Sequence, residues 1–265
     1  MADELTNEQL SMEQVSEFLD GASLEVIRDI APDDPMYGYA PDYYFQAGQS
    51  ALRNIRLAML AGQVQKVDRV LDFACGSGRV LRILKAAFPD AHLTACDVQP
   101  HAVEFCGRTF GATGVVSAHD PDHVELEGNY DLIWCGSLLT HVDADRWVKF
   151  VKLFESALAP GGVAVFTTYG RFIAEKRLRE RDHPLDLNEE QIEGVLRDYD
   201  DEGFGFRAGF CPDLNFGDCV ATRQWVCTQL EQAPKLQLLL YVEGGWGVYR
   251  NEWSQDVIAC AKAWD

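Results

Sequence analysis

The chain has 265 residues, 42 acidic against 23 basic, for a formal net charge of -19; 47% of its side chains are hydrophobic and 25% charged. That size and apolar content suffice for the core of one α/β domain with additions, without disulfides or metals. The negative field disfavours nucleic acid and anionic membrane surfaces as partners, and no apolar run approaches the length of a membrane span.

In chain order, Met1-Ala2-Asp3-Glu4 lacks the basic and apolar regions of a signal peptide, so the cytoplasm is the expected location. Residues 1–66 read as a polar helical region without a strand pattern. Thr6 and Gln9 have capping-box spacing at the start of a first helix. Pro32, Pro35 and Pro41 then punctuate a stretch rich in tyrosine (Tyr37, Tyr39, Tyr43, Tyr44), and a longer helix is predicted over about 45–62.

From Asp68 onward strand and helix alternate. Strands are predicted at 69–73, 92–96, 114–118, 130–135 and 162–168, with helices near 79–87, 100–110 and 144–158. This alternation forces parallel pairing with right-handed crossovers, hence a doubly wound, Rossmann-like open sheet. Residues 170–221 read as an α-rich insertion after the fifth strand, with helices near 172–181 and 188–199 and a glycine- and phenylalanine-rich stretch at 202–210. A helix near 221–232 precedes strands at 236–242 and 255–261. The Glu243-Gly244-Gly245-Trp246-Gly247 segment between them reads as a loop, so the last two strands are expected to be antiparallel neighbours.

Eight cysteines (75, 96, 106, 135, 211, 219, 227 and 260) include no C-x-x-C pair, and several fall in apolar strand-like segments. They read as reduced, structural thiols, and no metal is expected. Asp143 and Asp145 could be imagined as magnesium ligands, but acids before a helix more simply cap it.

The ligand of a doubly wound sheet lies across the carboxyl ends of its strands. Val70-Leu71-Asp72-Phe73-Ala74-Cys75-Gly76-Ser77-Gly78 is a buried strand running into a glycine turn and a helix. The third glycine of a dinucleotide fingerprint is replaced by Leu81, and Asp72 supplies negative charge where a pyrophosphate wants bare amide donors. The site therefore suits a cationic, phosphate-free ligand. Asp97 ends the second strand, where an acid accepts ribose hydroxyls. Asp120 follows the third, and the small Cys135-Gly136-Ser137 stretch ends the fourth. Singly, each acid is as well explained by helix capping and each glycine by a tight turn; acids at three consecutive strand ends are not.

These residues resemble the class I S-adenosylmethionine-dependent methyltransferases over about 68–168. The glycine-turn segment looks like the family's first motif, and Leu93-Thr94-Ala95-Cys96-Asp97-Val98-Gln99 its ribose motif. Tyr130-Asp131-Leu132-Ile133-Trp134-Cys135 looks like its fourth-strand motif, and Leu158-Ala159-Pro160-Gly161-Gly162 the turn before its fifth strand. Phe73-Ala74 departs from the commoner glycine-type variants. The resemblance implies a seven-stranded, mostly parallel sheet whose last strand is antiparallel, with S-adenosylmethionine as cofactor. It implies a cofactor site drawn from Asp72, Ala74, Gly76, Gly78, Asp97, Val98, His119, Asp120, Cys135 and Gly136, with Gln46 and Gly48 closing over it from the 1–66 region. Residues 67–265 are then the methyltransferase domain and 170–221 its acceptor cap, with Tyr39, Tyr43, Tyr44, Tyr169, Phe204, Phe206 and Phe210 as candidate acceptor-lining rings, the phenylalanines equally well as core.

His141, in Ser137-Leu138-Leu139-Thr140-His141, is the candidate general base if the acceptor must lose a proton; the alternative is a histidine that pins the loop. The expected activity is methyl transfer to a small-molecule or glycan acceptor, at oxygen. The alternative is a cofactor-binding module without turnover that serves a partner enzyme. A nicotinamide-dependent oxidoreductase is disfavoured by Asp72 and Leu81.

Overall fold

The computed structural model describes residues 11–39, 41–182, 185, 187–211, 215–247 and 254–264. The Thr6–Gln9 capping box lies outside them. The first described helix, α1 (Met12–Asp20), is started by a capping box of Ser11 and Gln14 instead. Helices α2 (Pro35–Tyr39) and α3 (Pro41–Ala61) follow, so the long helix begins a turn earlier than predicted.

The central elements are β1 (Arg69–Phe73), α4 (Leu81–Ala87), β2 (His92–Asp97), α5 (Pro100–Phe110), β3 (Thr113–Val116), β4 (Tyr130–Cys135), α6 (Ala144–Ala157) and β5 (Leu158–Thr168). After them come α7 (Glu189–Glu202), β6 (Phe204–Cys211), β7 (Phe216–Ala221), α8 (Arg223–Leu230), β8 (Leu236–Trp246) and β9 (Gln255–Lys262). The main sheet has seven strands in the order β3-β2-β1-β4-β5-β9-β8. Neighbours from β3 to β5 are parallel, and β9 runs antiparallel to both β5 and β8. The strand order reverses at β1 and β4, and their carboxyl ends flank the switch point.

The inner strands are apolar at nearly every position because both faces are covered. Leu71, Phe73, Ile133 and Phe166 point to one face and pack with Phe150 and Phe154 of α6 and Val226 of α8. Val70, Leu132, Trp134 and Val165 point to the other, against Leu52 and Ile55 of α3, Leu81 and Leu84 of α4, and Phe110 of α5. A third cluster (Ile173, Leu178, Ile192, Val195, Tyr199) gives the insertion its own core.

Three details differ from the sequence reading. Residues 243–246, read as a loop, continue β8 with an irregular register between Val242 and Trp246; Gly244 N donates to Asp256 and the Trp246 ring is buried. The helix predicted near 172–181 has π-helical hydrogen bonding over Ile173–Leu178. The insertion is not wholly helical, because β6 and β7 form an antiparallel hairpin. Its glycines hide the strand pattern, yet they are demanded by packing: a Cβ on Gly205 would strike the Val195 backbone, and one on Gly217 the Arg207 backbone. Among the described residues no helix is long and apolar enough to cross a membrane.

Candidate functional site

At the end of β1 the chain turns through Ala74, Gly76 and Gly78, all at positive φ (59°, 50° and 81°). Gly78 N donates to Cys75 O (3.0 Å), Cys75 N to Cys96 O (3.1 Å) and Gly76 N to Asp97 Oδ2 (2.8 Å), tying the turn to the end of β2. A Cβ on Gly78 would collide with the Phe110 ring, so packing alone requires glycine there. Gly76 is different. A Cβ there would meet no atom within 4 Å, so its bare backbone faces open space. Ala74 takes a left-handed conformation that the commoner glycine adopts without a Cβ penalty of about 1–2 kcal/mol.

Asp72 sits beneath this turn and is 2% exposed. Burial, then the nearby Asp97 charge, push its carboxyl up to about 8, against the pull of Arg79 and of the Leu81 backbone N–H. Its Oδ2 has no hydrogen-bond partner among the described residues. Leaving such an atom buried and unmatched costs about 1–3 kcal/mol, which a cationic ligand over the turn would offset. Asp97 accepts from Gly76 N through Oδ2 and from Gln99 N through Oδ1 (3.0 Å). Each carboxylate oxygen keeps a second acceptor position, enough for a pair of ribose hydroxyls. An open glycine cradle, an unmatched buried acid below it and a second acid beside it fit a ribose-bearing cation, the chemistry of S-adenosylmethionine.

The remaining residues predicted for this site divide. Val98 and His119 are exposed beside the ends of β2 and β3, with the His119 ring edge-on to Phe216 at 5.6 Å. Asp120 turns its carboxylate elsewhere: it caps the turn Pro121–His123 by accepting from Asp122 N and pairs with Lys149 at 3.4 Å, and these contacts hold its carboxyl below the usual range. The Cys135 thiol is buried, and burial drives it well above its ordinary range. Gly136 is small because the Trp134 and Trp246 rings occupy the space of a Cβ. Gly48 has the same kind of reason, since it seats α3 against the Arg79 carbonyl and Ile83; Gln46 is exposed.

The rings divide too. The Tyr44 hydroxyl donates to Asp34 Oδ2 (2.6 Å) and accepts from Arg82 Nη2 (3.3 Å), so Tyr44 holds the N-terminal segment rather than a ligand. Phe204 is core, stacked on Trp225 at 4.3 Å, and Phe206 packs against the same cluster. The side chains of Tyr39 and Phe210 lie outside the described residues. Tyr43 and Tyr169 do converge. Burial raises both phenols, Tyr43 senses the Arg79 charge, and Tyr169 senses Asp218 and Tyr43. The Tyr169 ring stands edge-on to His141 at 6.2 Å.

His141 ends the short turn Leu138–Thr140 after β4. Asp143 caps α6 by accepting from Arg146 N (2.9 Å) and also holds Arg146 Nε and Asn215, so capping occupies it.

Sequence reasoning missed two groups. Ser137 N donates to Thr167 Oγ1 (2.8 Å), Thr167 Oγ1 to Gln255 Oε1 (2.5 Å), and Gln255 Nε2 to Ser137 Oγ (2.9 Å), a closed ring locking the ends of β4 and β5 to the start of β9. Arg82 is 2% exposed and donates to the carbonyls of Gly78 (3.1 Å), Ile27 (2.6 Å) and Asp29 (3.1 Å). A charge inside the apolar run Leu81–Leu84 was the available signal for Arg82. The first group joins residues far apart in sequence and left none.

A left-handed glycine turn between a central strand and a helix, with acids at two adjacent strand ends, defines a Rossmann-like cofactor-binding domain. Residues 70–162 match the family model of a methyltransferase domain. A malonyl-[acyl-carrier protein] O-methyltransferase of Acetivibrio thermocellus is 31% identical over 123 residues, 46% of this chain and 43% of that protein. A ribosomal protein L11 methyltransferase of Dechloromonas aromatica is 29% identical over 93 residues, 35% and 31% of the two chains. The match thus spans less than half the length of these curated relatives. Among solved structures, Streptomyces venezuelae DesVI superposes with a TM-score of 0.57 at 13% identity, covering 89% of this chain and all of that one. An S-adenosylmethionine-dependent methyltransferase from Clostridium acetobutylicum gives 0.56 at 17% identity, covering 87% and 97%. At such identities the likeness is one of fold. Residues 70–162 thus resemble a methyltransferase domain, and the chain shares the fold of a solved S-adenosylmethionine-dependent methyltransferase.

Proposed function

We propose that the protein is an S-adenosylmethionine-dependent methyltransferase acting on a hydroxyl of a small-molecule or glycan acceptor. The observation that carries the cofactor assignment is Asp72, a buried acid with an unmatched oxygen beneath a glycine turn that opens at Gly76. Asp72 would hold the ammonium end of the cofactor and Asp97 its ribose, with the exposed Val98 and His119 on the adenine side. When bound, the cofactor supplies an electrophilic methyl group on a sulfonium. The chain supplies alignment and exclusion of water, the main contributions open to an in-line displacement at carbon.

The proximity of Tyr43 and Tyr169 supports an acceptor site walled by these two rings, with the insertion as its cap. The O-methyltransferase relative supports oxygen as the methylated atom. The net charge of -19 favours a neutral or cationic small acceptor over nucleic acid. Incubation with S-adenosylmethionine carrying a radiolabelled methyl group and a cell extract tests this: label is expected in a low-molecular-weight or glycan fraction. Label confined to RNA or protein overturns the acceptor assignment, and cofactor binding with no labelled product overturns turnover.

A further inference from the structure

The cap hairpin meets the turn after β4 at His141. Gly217 N donates to His141 O (3.2 Å), and His141 Nδ1 lies 2.8 Å from Gly217 O, so the two exchange a reciprocal pair of hydrogen bonds. Beside that carbonyl, Asp218 Oδ1 is 3.3 Å from the same ring nitrogen. Asp218 is 4% exposed on its side chain, while the His141 side chain keeps 27% of its surface. Two further bonds fasten the hairpin: Cys219 Sγ donates to Leu139 O (3.1 Å) and Ala221 N to Tyr169 O (2.9 Å).

An acceptor carbonyl and a carboxylate at one ring nitrogen require that nitrogen to carry the proton, since both partners only accept. The ring's remaining lone pair then belongs to Nε2. A buried carboxylate is costly without a cation nearby, and a protonated imidazole would supply one. Among the described residues, the charged and titratable groups around His141 are Asp218 and Cys219 on β7, Tyr169 after β5, and Asp143 on its own loop. Asp143 is occupied by Arg146 and Asn215, and the Cys219 and Tyr169 protons are held by burial. Asp218 is therefore the anion addressed to His141.

Resting on the methyltransferase reading above, we infer that Asp218 is a positioning residue that fixes His141 as the proton acceptor for the methylated hydroxyl. The acceptor O–CH3 bond forms as the donor S–CH3 bond breaks, leaving a neutral thioether. The hydroxyl proton passes to His141 Nε2, and the resulting imidazolium is held by Asp218 until the proton leaves to water. The cap hairpin thereby does more than cover the acceptor: it completes the base.

Three variants and two readouts test this. His141→Asn keeps an amide donor for the Gly217 carbonyl and loses Nε2; Asp218→Asn keeps shape and loses charge; Asp218→Glu restores the charge. Long-range 1H–15N correlation of 15N-histidine-labelled protein, with the His141 signals assigned by their loss in His141→Asn, is expected to show the proton on Nδ1. Transfer of radiolabelled methyl groups into cell extract is expected to fall at least about 100-fold in His141→Asn and at least tenfold in Asp218→Asn, with partial return in Asp218→Glu. S-adenosylhomocysteine affinity should change less than twofold in all three. Near-normal turnover of His141→Asn, or a proton resident on Nε2, overturns the inference and leaves His141 as a pin for the hairpin. Failure of the wild type to bind S-adenosylhomocysteine overturns the methyltransferase reading instead, and the tautomer still decides whether Asp218 and His141 pair.

Discussion

Asp72 is an acid held where its charge is least welcome, and that has a thermodynamic signature before any ligand is added. Its carboxyl is raised to about 8 in the native chain, against about 3.9 when unfolded. Between those values the native state binds the extra proton, so stability of the ligand-free protein declines as pH rises from about 4 to about 8. Asp72→Asn removes that slope. Thermal unfolding of the two proteins is expected to show Asp72→Asn gaining on the wild type as pH rises, by at least about 1.4 kcal/mol, the equivalent of one pKa unit, while losing cofactor affinity.

The glycines beside Asp72 separate packing from binding. Gly78→Ala drives a methyl into Phe110 at a φ of 81° and should cost stability, about 2 kcal/mol or more. Gly76→Ala has open space at a φ of 50° and should cost only the strain of about 1–2 kcal/mol, yet its methyl projects into the space assigned to the cofactor. Melting temperature together with calorimetric affinity distinguishes them: an unfolded Gly76→Ala, or one that binds normally, contradicts this placement.

At the level of elements, Arg82 joins the N-terminal segment to the glycine turn through the Gly78, Ile27 and Asp29 carbonyls, with its guanidinium over the Tyr44, Phe45 and Phe110 rings. Arg82→Met strips those bonds and is expected to cost about 2 kcal/mol. That lowers the melting temperature by roughly 4–8 °C at 2–4 °C per kcal/mol, and the first proteolytic cuts should move into residues 20–40. Arg53→Ala, which breaks a pair with Asp20 on the surface, should barely move either readout.

The elements also mark where sequence suffices. Strands β1, β2 and β4 announce themselves because a strand buried on both faces is a continuous apolar run, and the crossover helices because their apolar stripes keep helical spacing. The β6–β7 hairpin does not, because the glycines that its neighbours' backbones demand dilute the pattern. Asp72, Asp97 and Gly76 are legible as candidate site residues because strand ends fix their positions. Asp218 is not, since its meaning depends on a contact with His141 across 77 positions of chain. Tyr44 and Phe204 show the converse: aromatic composition marked them, and only packing shows that Arg82 and Trp225 claim them.

Over the whole molecule, a sheet of order β3-β2-β1-β4-β5-β9-β8 and a net charge of -19 together describe an acidic scaffold with a cradle at its switch point. This cradle is proposed to take a phosphate-free, ribose-bearing cation rather than a dinucleotide. Isothermal titration of the wild-type protein with S-adenosylhomocysteine, S-adenosylmethionine and NAD, repeated with Asp97→Ala, tests it most directly. One-to-one binding of both S-adenosyl compounds is expected, at least tenfold weaker in Asp97→Ala, with no binding of NAD. Tight binding of the dinucleotide alone would contradict it.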